Sequence, residues 1–102
     1  MSNVGFGAAI GGEQVLQAQE VGFKSIINIC LDHQIEQDML EEAALLGVGY
    51  ISQPVQELSV NTAHEFSSHF NSVEKPVLIL GKTGEQAIDL HFLAMQLDLL
   101  LD

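Results

Sequence analysis

The chain of 102 residues has no arginine and only three lysines, Lys24, Lys75 and Lys82, against 14 aspartates and glutamates, for a formal net charge of −11. That imbalance argues against nucleic acid as a partner. A chain this acidic repels phosphate backbones at long range, and without guanidinium groups it has no side chain for bidentate recognition of phosphate or carboxylate. The one cysteine, Cys30, cannot close an internal disulfide, which suits a reducing compartment. No apolar run is long enough to cross a bilayer, and Met1-Ser2-Asn3-Val4 carries no positive charge ahead of an apolar segment. Neither a membrane span nor a signal peptide is therefore expected, and the default address is cytoplasmic. Repeats, linkers and low-complexity stretches are missing as well, so a single domain over residues 1–102 is expected.

What is present is periodic. With 47% hydrophobic residues the chain can build one continuous core. A short apolar stretch, Val4–Ile10, precedes a helical pattern over Glu13–Val21 that Gly22 stops. Phe23–Cys30 reads as a β-rich run. Gln34–Leu46 places Ile35, Met39, Ala43 and Leu46 on one helical face, with Gly47 as its stop. Val48–Ile51 reads as a short strand, Ser59–Val73 as a helix, Pro76–Leu80 as the last strand and Thr83–Leu101 as the last and most apolar helix. Strands that alternate with helices predict an α/β domain: about four mainly parallel strands with helices on both faces and right-handed crossovers. Ligands of such sheets sit beyond the C-terminal strand ends, which puts Cys30–His33, Ser52–Leu58 and Gly81–Glu85 on one rim.

The segment Val77–Ala87, VLILGKTGEQA, runs from a buried strand through a glycine turn into a helix, the usual setting of an anion site in α/β proteins. It is not a nucleotide P-loop, because the first glycine of that pattern would fall on Pro76. The cluster Gly5–Gly11 misses the dinucleotide fingerprint by one residue. Two readings of the loop stand side by side. In one, Thr83 and Gln86 form a capping box and Glu85 complements the helix dipole, so that the loop satisfies itself. In the other, the N–H groups around Lys82, with Gly81, Thr83, Gly84 and Glu85, still gather a small anion.

The segments GFKSIINICLD, LGVGYISQPV, NTAHEF and PVLILGKTGEQA, spread over nearly the whole chain, resemble the cysteine-phosphatase-like domains found with β-lactamase-like hydrolases, relatives of the dual-specificity tyrosine phosphatases. The resemblance implies a cysteine-phosphatase-like fold. It places the family's nucleophilic cysteine on Gly81, the preceding histidine on Leu80 and the phosphate-clamping arginine on Gln86 or Ala87. None of the three is conserved in type. The family mechanism needs a thiolate at a helix N-terminus and a guanidinium to neutralise the phosphoryl oxygens. Its general acid falls near Gln56-Glu57, where Glu57 offers a carboxylate; Cys30 stands where the family often has arginine, and Asp32 matches a family aspartate. The implied function is a phosphatase-like domain without phosphatase activity and without cofactor, serving as a binding or oligomerisation module. The alternatives are a phosphatase-family hydrolase using Cys30, Asp32 or Glu57 in a new arrangement, or a weak binder of small anions.

Other candidates read more plainly. Cys30 has no flanking cation to lower its pKa and suits a core position. Asp32 suits loop capping. His64 and His69 are five residues apart, one too many for the zinc pattern, and diverge by about 140° around a helix, so no metal site is expected. His33 and His91 stand apart from them. The apolar residues of Thr83–Leu101, from Ile88 through Phe92 and Met95 to Leu101, nearly encircle that helix and predict burial on more than one side, under a second copy or inside the monomer.

Overall fold

A computed structural model describes residues 3–101. The elements follow as β1 (Val4–Ala8), α1 (Glu13–Val21), β2 (Ser25–Asn28), α2 (His33–Leu46), β3 (Gly49–Ser52), α3 (Val60–Ser72), β4 (Val77–Gly81) and α4 (Gly84–Gln96). The strands form one sheet in the order β1-β4-β2-β3, and every pairing is parallel. Alternation along the strands divides the core into two layers. Ile26 and Leu80 face Val15 and Ala18 of α1 and Met39 and Ala43 of α2. Ile27, Val77 and Ile79 face Ala63, Phe66 and Phe70 of α3 and Ala87, Leu90 and Ala94 of α4. The result is a three-layer α/β sandwich whose central strands are buried on both sides, as parallel strands require.

Helix ends follow local chemistry. Asp32 caps α2 by accepting the N–H of Ile35 at 3.1 Å. Gly47 closes it at φ 72°, a left-handed conformation in which a side chain is costly. Ser59 and Thr62 form a reciprocal capping box at the start of α3. Among the described residues no helix is long and apolar enough to cross a membrane.

Several boundaries differ from the sequence expectations. The glycine-rich stretch read as Val4–Ile10 is an edge strand, β1, with no fingerprint loop around it. The β-rich run Phe23–Cys30 shrinks to Ser25–Asn28, and β4 runs one residue further than expected, to Gly81. The largest correction concerns the last helix, which ends at Gln96 rather than Leu101. Asp98 takes φ 59°; its N–H reaches Met95 O at 3.0 Å and the Leu99 N–H reaches Ala94 O at 3.0 Å. That is a Schellman stop formed without glycine. The tail then turns back on α3, where Asn71 donates to Leu99 O at 3.0 Å and accepts from Leu101 N at 2.8 Å. Leu99 and Leu100 pack against the α3–α4 core, so their apolar character reflects tail burial and not a helix face.

Candidate functional site

The strand order leaves a crevice between β2 and β4. From β2 the chain crosses to β3 on the α1/α2 side of the sheet, whereas α4 leaves the neighbouring β4 on the opposite side. Adjacent strands whose helices depart to opposite faces leave a gap at their C-terminal ends. A cleft of about 510 Å³ lies there. Its polar lining is Cys30, Asp32, Gln56, Lys82 and Gln86, and its apolar lining is Ala9, Leu31, Ile35 and Val55. All three rim segments singled out in the sequence thus contribute residues to one cleft.

Backbone bonds tie these segments together. Ile29 N–H donates to Leu80 O at 2.8 Å, Val55 N–H to Ile29 O at 3.0 Å and Ala9 N–H to Gly81 O at 2.8 Å. Asn28, fully buried at the end of β2, orients the cleft wall. Its Oδ1 accepts the Cys30 N–H at 3.0 Å, while its Nδ2 donates to the Tyr50 hydroxyl at 3.0 Å and contacts Met39 Sδ at 3.7 Å. The Tyr50 hydroxyl in turn donates to Glu36 O at 3.4 Å. Burial raises the Tyr50 pKa, and the nearby charge of Glu36 adds to the rise against the lowering effect of the Asn28 bond. The sequence reading passed over Asn28; the one signal for it was a lone amide inside the apolar run Ile26–Cys30.

The β4–α4 loop is occupied by its own side chains. Thr83 Oγ1 accepts the Gln86 N–H at 3.0 Å, as a cap should. Gln86 does not return the bond to Thr83, as a simple capping box would. Its Oε1 reaches one residue further back and accepts the Lys82 N–H at 2.7 Å, while its Nε2 donates across the cleft to Val55 O at 3.3 Å. The same Oε1 stands 2.7 Å from where the first side-chain carbon of a residue at position 81 would be, and Thr83 O stands 3.0 Å from it. Any side chain at Gly81 therefore collides with the filled loop, and glycine is what lets the amide sit there.

The remaining candidates fall as follows. Leu80 and Ala87 are buried in opposite layers of the core. Gly84 opens α4 beside Gly7 of β1, and Glu85 is exposed in the first turn. Cys30 is 4% exposed, a buried free thiol at the cleft wall. Glu57 is exposed and does not line the cleft; its backbone carbonyl accepts from Thr62 Oγ1 at 3.4 Å. His69 lies 3.9 Å from Glu65 on its own helix and His33 lies 3.9 Å from Glu36. Among the described residues no three His, Cys, Asp or Glu side chains gather closely enough to hold a metal.

No family model, curated protein or solved structure matches the chain.

Proposed function

We propose that the chain is a catalytically inactive phosphatase-like domain that acts as a binding or oligomerisation module. One observation carries the reading: the amide oxygen of Gln86 occupies the mouth of the β4–α4 loop, 2.7 Å from the Lys82 N–H. In the phosphatases that the sequence resembles, the residue at Gly81 bears the nucleophile and the loop N–H groups face a phosphoryl group. Here a neutral carbonyl supplies the acceptor that such a loop requires, and it does so from within the chain. Neither thiolate nor guanidinium stands at the positions where the resemblance would put them. An interior parallel strand that delivers a glycine turn to a helix N-terminus, at a crevice between oppositely departing helices, is consistent with a retained scaffold.

The test is a turnover assay with p-nitrophenyl phosphate, run beside thermal denaturation with and without millimolar phosphate, sulfate or vanadate. The expected result is no turnover and no stabilisation by the anions. Turnover abolished by Cys30→Ser would overturn the reading. Stabilisation of a degree or more without turnover would favour a loop that still takes a small anion, since ligand binding to the folded state raises the melting temperature.

A further inference from the structure

We infer that the outer face of α4 and the groove beside it form an isologous contact between two copies of this chain. The inference names the partner for the binding-module reading and rests on it. Ile88, Phe92 and Met95 are 48%, 56% and 55% exposed. Their spacing brings them within about 60° of one another around the helix axis. Leu90 and Ala94, on the other side of the helix, are fully buried. Leu101, 69% exposed, lines the same groove as Met95 and extends the apolar surface. Other exposed leucines do not form such a stripe: Leu40 and Leu45 on α2 diverge by about 140° around their helix.

The exposed area of these four residues is roughly 400–500 Å², within the range of about 300–600 Å² for the largest, often functional, apolar patch of a monomer. It is more than half of the roughly 800 Å² per partner that a standard interface buries. The patch is also complementary to itself. Beside the stripe lies a groove of about 640 Å³, lined by Phe70, His91, Met95 and Leu100 among others. Met95 belongs to both, so the projecting Phe92 ring and the groove are neighbours on one surface. A two-fold axis between them lets each protomer's Phe92 enter the other's groove, and one patch satisfies the contact twice.

Glu85 and Asp89 precede Ile88 and Phe92 by three residues each and edge the stripe. Among the described residues the groove holds one cation and one anion, Lys75 and Asp98, and the Lys75 ammonium donates to Phe70 O and Val73 O while it lies 4.5 Å from the centroid of the Phe70 ring. Charge is balanced within the groove, so the contact rests on its apolar surface.

Sedimentation velocity of the full chain, from micromolar to several hundred micromolar, tests the contact. The expected result is a reversible monomer–dimer equilibrium. Phe92→Asp and Ile88→Asp should each weaken it by at least about 30-fold, the loss typical of a central contact residue. Leu45→Asp, at an exposed position on α2, should leave it unchanged. Circular dichroism confirms that each variant is folded. A monomer at every concentration, a dimer that survives both α4 variants, or one that Leu45→Asp also breaks would overturn the contact. The p-nitrophenyl phosphate assay on the same samples separates the two claims. A monomer without turnover removes the dimer and leaves the inactive-domain reading, whereas turnover removes that reading whatever the mass.

Discussion

The side-chain oxygen of Gln86 accepts the backbone N–H of Lys82 at 2.7 Å, closing the β4–α4 loop from within. Because the same amide donates to Val55 O, it also ties the loop to the opposite wall of the cleft. Gln86→Ala should therefore cost about 1–2 kcal/mol, the net worth of two part-exposed hydrogen bonds, measured by urea denaturation. The variant should show no p-nitrophenyl phosphate turnover, because opening the loop supplies neither a thiolate nor a guanidinium.

Asn28 spends its donors and its acceptor in the core. Asn28→Ala should destabilise by about 2–3 kcal/mol, since it strands the Cys30 N–H and removes a partner from the Tyr50 hydroxyl. A double-mutant cycle with Tyr50→Phe should give a coupling of about 1 kcal/mol. Negligible coupling would mean that the two side chains act separately.

Tyr50 is the only tyrosine, and the chain has no tryptophan, so tyrosinate absorbance follows this one residue. Its raised pKa means that the folded state keeps the phenol proton when the unfolded chain has begun to lose it. Stability on this account is intact below the unfolded value of about 10 and falls as pH rises through the folded value. Alkaline titration of the native protein should therefore show a midpoint above that of the protein in denaturant.

His91 titrates in the opposite sense to a paired histidine. Its ring meets Phe6 of β1 at 5.1 Å and Phe70 and Phe66 of α3 at 5.4 and 6.5 Å, none of which offers an imidazolium a hydrogen-bond acceptor or a negative charge. Lys75 and Asp98 share the groove that it lines. Burial lowers its pKa. The unfolded chain takes up this proton near pH 6.5 and the folded chain only below that, so the contribution is complete above 6.5 and is lost as pH falls through the folded value. His91→Phe should flatten this part of the acid limb, read as the difference between the two stability–pH curves.

Beyond the packing of Leu99 and Leu100, Asn71 ties the tail to α3 with two hydrogen bonds. Asn71→Ala should cost about 1 kcal/mol and should speed hydrogen exchange at the Leu101 amide, which loses its acceptor. Asp98→Gly should stabilise by about 0.5 kcal/mol, because glycine adopts the left-handed conformation at that helix stop without steric cost.

How much of this was legible beforehand follows from the range of each interaction. Helix periods, the Asp32 cap and the Gly47 stop are encoded within a few residues, and the alternation of strands and helices is enough to imply a parallel α/β sheet. The end of α4 was misread for a local reason. The apolar run continues through Leu99, Leu100 and Leu101, and only their burial against α3, with the grip of Asn71, distinguishes a packed tail from another helical turn.

The sequence by itself determined the layers and the rim segments, and that the loop after β4 carries no cysteine, histidine or arginine. Tertiary structure decided the strand order β1-β4-β2-β3, and with it the crevice where Cys30, Asp32, Lys82 and Gln86 meet. It also decided that Gln86 would reach Lys82 and Val55 where a local cap would have stopped at Thr83. Local patterns specify which face of an element is apolar. Which elements become neighbours depends on pairings between residues far apart in the chain, such as Ile29 with Leu80 and Gln86 with Val55, and these form only once the whole core has closed.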